Sequence, residues 1–467
     1  MTILDSRSAV TASGASADSD PAGIVLGGDL TIPLLGGDVV SYANLDYAAS
    51  APALTEVANF LNDISPYYAS VHRGAGYLSQ VSTSVYESAR LAVSAFVNAR
   101  DGDSVIFTAN TTDSLNLLAG VVASGVADTG GGLRRDVVYL DIEHHANLLP
   151  WQAIDHRVVS VRNTLRETID ELDVELAGAP AALLAVTGAS NVTGEVLPLR
   201  ELAELAHRHG ARIAVDAAQL APHRRIDVAG DNIDYLVFSG HKLYAPFGSG
   251  VVVGRADWLD AGKPHRAGGG AVREVQANSV SWTTGPARHE AGSPNVLGAA
   301  AIAKACKVLQ NLDQDDWHEH EEHLRRRLVD GVADIDGVET HRIWAEESLD
   351  AVGIVTFSVR GYDPGLVAAY LSAEHGVGVR DGRFCAHPLT KALGLDRGGC
   401  RASFGLGSTE DDVDRLLEGL RALLDGGPQA SYVVDAGRWV PEHETRHFPA
   451  WAPPISGTAG ASPCEAD

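Results

Sequence analysis

The stretch DYLVFSGHKLYAPFGSGVVVGR, Asp234–Arg255, joins two apolar runs through a loop of small residues. DYLVFSG (234–240) and GVVVGR (250–255) are rich in β-branched and aromatic residues and bounded by glycine, which predicts two buried strands. Between them, SGHKLYAPFGSG (239–250) sets Lys242 between a histidine and an apolar pair. Lysine ordinarily keeps its charge on a solvated surface. At the end of a buried strand, an alternative use is chemical: a partly desolvated amine has a lowered pKa and condenses with an aldehyde.

On either side of this stretch, further strand candidates are SVIF (104–107), DVVYLD (136–141), ALLAVTG (182–188) and RIAVDAA (212–218). Amphipathic patterns predict helices over Thr112–Ser124, Leu199–His209 and Asn295–Leu312. Apolar strands alternating with helices predict a mixed, mostly parallel sheet covered on both faces. Beyond it, VGIVTFSV (352–359), a helix near Pro364–His375, VGVRDG (377–382) and a helix over Glu410–Leu424 predict a smaller α+β domain. The expected division is a partly disordered tail over 1–40, a large domain over 41–300 whose N-terminal segment contacts the small domain, the small domain over 301–425, and a polar extension over 426–467 with a loose end.

The chain has 467 residues, 45% of them hydrophobic, with 61 acidic against 36 basic side chains and a formal net charge of −25. That balance argues against nucleic acid and against anionic membranes as partners, since both demand a basic footprint. The first 25 residues lack the cationic start and apolar run of a secretory signal. Four cysteines, Cys306, Cys385, Cys400 and Cys464, are too few for a disulfide framework, and a reducing cytoplasm is the expected location.

In open α/β sheets, ligands bind at the carboxyl ends of the strands. Asp216 and Gln219 follow one such end, Asn191 another, and Ser239, His241 and Lys242 a third. An aspartate beside a pyridine nitrogen keeps it protonated and makes the ring an electron sink. Lysine, aspartate and phosphate-binding groups together suggest pyridoxal 5'-phosphate. Taken singly, each has a plainer reading as a surface charge or a turn former.

These segments resemble fold-type I pyridoxal-phosphate enzymes of aminotransferase class V, and within them the SUF-type cysteine desulfurases and selenocysteine lyases. The resemblance is carried, in order over about 41–425, by LDYAASAPA (45–53), YASVHRGAGYLS (68–79), TTDSLNLLA (111–119), EHHANLLPWQ (143–152), ASNVTGE (189–195), VDAAQLAPH (215–223), FSGHKLYAPFGSG (238–250), EAGSPN (290–295) and CRAS (400–403). It implies Lys242 as the lysine that bonds the cofactor and shuttles the proton, Asp216 at the pyridine nitrogen, and His144 stacked on the ring. It implies Gln219 near the ring hydroxyl, Asn191 near the ring and the substrate carboxylate, and Thr112, Ser239 and His241 at the phosphate. A helix opening at Thr112 adds backbone N–H groups that favour an anion. Ser293 would reach the phosphate of a partner subunit, which implies a homodimer. Arg401 would clamp the substrate carboxylate with its planar fork, and His72, Arg73 and Arg380 would face the substrate.

In VRDGRFCAHP (379–388), Cys385 stands where the family's sulfur-accepting thiol lies, among Arg380, Arg383 and His387, whose charges would favour a thiolate. The resemblance then implies conversion of L-cysteine to L-alanine, a persulfide on Cys385, and a protein sulfur acceptor. The usual pattern, Arg-x-Gly-His-His-Cys, is altered here, because Arg383 and Phe384 replace both histidines. That change leaves open aminotransferase, lyase or epimerase chemistry on another amino acid, and a buried or incidental role for Cys385. Outside this fold, HETRH (443–447) matches the H-E-x-x-H zinc-hydrolase motif, which needs a helix to bring its histidines together. It lies between prolines in a polar tail, so no metal is expected. A non-catalytic scaffold is disfavoured, having no use for Lys242, Asp216, His144 and Arg401 together.

Overall fold

The apolar runs form strands with the expected limits to within one or two residues. The structure, a computed structural model, describes residues 23–126, 136–344 and 350–452. The described residues fall into two units: 51–126, 136–189 and 196–314, and 23–50, 190–195, 315–344 and 350–452.

The first unit holds a seven-stranded sheet. Its strands are β1 (Asp103–Thr108), β2 (Val137–Leu140), β3 (His156–Val159), β4 (Leu183–Thr187), β5 (Arg212–Asp216), β6 (Tyr235–Ser239) and β7 (Gly250–Arg255). Their spatial order is β1-β7-β6-β5-β4-β2-β3. β2 through β6 pair in parallel, and β7 runs antiparallel to both β6 and β1. This is the mixed, mostly parallel α/β sheet expected from the sequence. Edge strand β3 escapes the sequence reading because HRVV is short and only Val159 is buried. Helices α1 (Tyr77–Phe96), α2 (Thr111–Ala123), α3 (Leu199–Arg208) and α4 (Val296–Asn311) accompany the sheet. α4 is rich in alanine, which lets it pack closely on α1. Leu115, Leu118, Trp151, Leu183 and Val252 belong to one core cluster of the unit.

In the second unit, β8 (Val338–His341), β9 (Ile354–Val359), β10 (Arg380–Gly382) and β11 (Gly399–Ser403) form an antiparallel sheet in the order β8-β9-β11-β10. It packs with α5 (Gln314–Ala333), α6 (Pro364–His375) and α7 (Glu410–Gly426) around Leu324, Phe357, Leu371 and Leu420. VGVRDG does not form one strand. Val377–Gly378 pairs in parallel with Ala43–Asn44, and the chain then changes partner so that Arg380–Gly382 pairs with β11.

The expected tails are partly built. Thr31–Pro33 and Val39–Ser41 form a hairpin, while residues 1–22 lie outside the described residues. After α7, β12 (Tyr432–Asp435) and β13 (Arg438–Pro441) form a second hairpin on α6. Trp439 Nε1 donates to Asp363 at 3.1 Å, and the Tyr432 hydroxyl donates to Glu374 at 2.9 Å. The last dozen residues, expected to be loose, lie outside the described residues. HETRH forms no helix, and Glu444 pairs with Arg446 at 2.7 Å. The helical geometry of a zinc-hydrolase motif is therefore missing. Among the described residues, no helix is long and apolar enough to cross a membrane.

Candidate active site

Strand direction gathers the first unit's chemistry at one edge. β1, β2, β4, β5 and β6 all end there, and antiparallel β7 begins there, with Gly250 opposite both Thr108 and Ser239. Gly250 has no room for a side chain, because a Cβ would lie 2.4 Å from the backbone carbon of Asn110. That approach sets the start of α2 beside β7. Asn110 caps the helix, its side chain accepting from the Asp113 amide at 2.9 Å. At the helix start Thr111 is buried and Thr112 is exposed. The Thr111 Oγ1 and Ser239 Oγ atoms are buried without a hydrogen-bond partner. Buried hydroxyls are seldom left unsatisfied. Two of them, flanking Gly250 near a helix N-terminus, fit an anionic group such as a phosphate. Thr111 was missed in the sequence, although the Thr-Thr pair at a helix start was its signal.

Asp216 closes β5 and is 5% exposed. Its carboxylate accepts from the Ala218 amide at 3.0 Å. Burial pushes its pKa up, while that hydrogen bond and the charge of Lys242 pull it down. A second cation against this carboxylate, such as a protonated pyridine, would stabilise it in the same sense. Burial, with Lys242 next, lowers His241 to about 4, so its ring is neutral at physiological pH. Gln219 is buried at 4% exposure. His144 follows β2, its Nδ1 accepting from the Ala146 amide at 3.0 Å, which fixes the ring's orientation. The preceding residue, Glu143, is fully buried, accepting from the Thr187 amide at 2.9 Å and the Asn147 side chain at 2.6 Å. Burial pushes Glu143 up to about 8.

His72 and Arg73 join a different group in this unit. His72 Nε2 lies 3.1 Å from Glu87, and Arg73 donates to the carbonyls of Gly269 and Gly292, each at 3.1 Å. They line a cavity of about 590 Å³ with Arg90 and Glu290, and none of the residues clustered at Lys242 lines it. Ser293 is exposed, next to Gly292.

The second unit gathers Asn191, Arg380, Cys385 and Arg401. Arg401 is 3% exposed; it donates to the Asn191 carbonyl at 2.7 Å and to Asp46 at 3.3 Å, and its Nε has no partner. Arg380 stands directly opposite it across the β10–β11 pair. Burial, chiefly, lowers the Arg401 pKa, with Asp46 opposing. An unpaired guanidinium N–H on a buried arginine is suited to one more carboxylate oxygen. Phe384, of the altered loop, has its ring centroid 5.2 Å from the Arg401 guanidinium. Asp46 was not expected at this site.

The sheet topology is that of the fold-type I enzymes. Residues 43–416 match the family model of aminotransferase class V. The chain is 35% identical over 382 residues to a probable cysteine desulfurase of Halalkalibacterium halodurans, covering 80% of this chain and 91% of that protein. It is 35% identical over 389 residues to a cysteine desulfurase of Dickeya dadantii, covering 82% and 92%. The apo cysteine desulfurase of Thermococcus onnurineus NA1 superposes with a TM-score of 0.75 at 31% identity, covering 82% of this chain and 95% of that one. The chain belongs to the aminotransferase class-V family.

Proposed function

We propose that this chain is a cysteine desulfurase that binds pyridoxal 5'-phosphate through the strand-end cluster. The observation that carries the cofactor assignment is the pair of buried, unpartnered hydroxyls of Thr111 and Ser239 at the edge that also carries Asp216 and Lys242. With His241 and the start of α2, they would hold the phosphate. Thr112, exposed at the first turn, would contribute its backbone amide. Asp216 would hold the protonated ring nitrogen, His144 would cover the ring, and Gln219 would meet its hydroxyl. Bound there, the cofactor supplies an electron sink for the carbon α to the substrate's amino group.

The chain's own residues supply the rest. Arg401, with Asn191 and Arg380 beside it, orients the carboxylate of L-cysteine. The Lys242 amine takes the α-proton and returns it. The Cys385 thiolate attacks the substrate sulfur, the carbon–sulfur bond breaks with its electron pair left on carbon, and that carbon is protonated. The products are L-alanine and a Cys385 persulfide, which an acceptor thiol then takes. The working form would be a cytoplasmic homodimer, in which Ser293 faces the partner's phosphate and His72 and Arg73, on a loop tied to its own, face the active site. The tie from Arg73 to Gly292 supports that grouping.

The test is turnover of L-cysteine with a thiol reductant, reading alanine and sulfide. Equal yields are expected, and Cys385→Ser should abolish sulfide release while preserving the cofactor's visible absorbance. Unchanged sulfide release from C385S would sink the role of Cys385. No turnover with an intact spectrum would instead favour another amino acid as substrate, the reading suggested by Arg383 and Phe384 in place of histidines.

A further inference from the structure

The turn that carries Cys385 is built against the backbone's own preference. Phe384 has φ +53° and Cys385 φ +52°. These are consecutive non-glycine residues in the left-handed region, where Cβ crowds the carbonyl oxygen. Such a conformation persists only where its surroundings over-determine it. The Phe384 ring, 6% exposed, lies on Arg401. The Phe384 carbonyl accepts from Asn191 Nδ2 at 2.7 Å, and the Asn191 carbonyl accepts from Arg401 at 2.7 Å. Asn191, Phe384 and Arg401 thus close a ring of contacts. The Ala386 amide donates to the Arg383 carbonyl at 2.9 Å and shuts the turn. Cys385 is near enough to Arg401 for its charge to act on the guanidinium.

We propose that Phe384 is a positioning residue for Cys385: its ring on Arg401 and its carbonyl on Asn191 hold the left-handed turn that fixes where the thiol points. The residue that departs from the usual histidine is therefore the one that anchors the loop. One guanidinium then serves both ends of the chemistry, offering an edge to a carboxylate and a face to the ring. The proposal rests on Cys385 as the sulfur-accepting thiol, yet the turn is open to a test that needs no turnover.

The measurement is the rate at which iodoacetamide alkylates Cys385 in the full-length protein, followed by mass spectrometry of the Cys385 peptide. Cys306 and Cys400 are buried, and their peptides are read separately. Loss of the anchor should open the turn, so Phe384→Ala and Phe384→Leu should each alkylate about fivefold faster or more. Phe384→Tyr keeps the ring and should stay within about twofold of the parent rate. If F384A fails to fold, F384L, which keeps the apolar bulk, decides alone. Parent-like rates in the leucine variant would overturn the proposal. A parent protein that releases no sulfide from cysteine would sink the proposed function and leave this result standing.

Discussion

The edge around Lys242 and the turn around Cys385 are built in opposite ways. The first rests on the ends of neighbouring sheet strands and the short segments just beyond them. The second rests on a left-handed turn held by three side-chain contacts. The first keeps its polar atoms buried, with the Thr111 and Ser239 hydroxyls lacking a hydrogen-bond partner. The second leaves Cys385 half-buried. The difference suits the two proposed tasks. A cofactor that stays bound needs a rigid, desolvated cradle, whereas a thiol that receives sulfur and gives it up must be reached by another molecule.

Three substitutions put that contrast at risk. Lys242→Ala should have the largest effect, abolishing turnover and the visible absorbance of the lysine-bound cofactor. Persistence of that absorbance would move the covalent attachment away from this edge. Arg401→Lys should come next. It removes the planar fork and the surface under Phe384, and should raise KM for the amino acid about 10²-fold, or ~2.7 kcal/mol. An unchanged KM would mean that the carboxylate is held elsewhere. Glu143→Gln should have the smallest effect and is read through stability. At about 8, the folded value of Glu143 lies above the ordinary 4.5. Between those values the folded protein keeps a proton that the unfolded chain has released. The group's contribution is full below the lower value and is lost as pH rises through the upper one. Unfolding free energy in the parent should therefore fall with pH more steeply than in E143Q, by up to about 1.4 kcal/mol per pH unit. Parallel curves from pH 5 to 8 would show that Glu143 is ionised in the fold.

Much of the strand-end edge was legible in the sequence because buried parallel strands are continuous apolar runs, and the residues just after each run must sit at the same rim. Asp216, Ser239 and Lys242 were found that way. Thr111 was not, since two adjacent threonines at a helix start look alike until the helix phase buries one. The contacts around His72 and Arg73 were not legible either: Arg73 donates to the carbonyls of Gly269 and Gly292, and His72 pairs with Glu87. The ring of Phe384 on Arg401 was also illegible. It brings together residues 17 positions apart through a left-handed turn that neither phenylalanine nor cysteine favours.

The second unit is assembled from the beginning, middle and end of the chain. Ala43–Asn44 pairs with Val377–Gly378, and Asp363, which caps α6, receives a hydrogen bond from Trp439. During synthesis the early strand must therefore wait unpaired while more than three hundred residues emerge. The ribosome can release residues 51–314 as a nearly complete sheet well before the other unit has all its pieces. A chain cut short by premature termination at residue 430 would lose the hairpin that fastens this last assembly step.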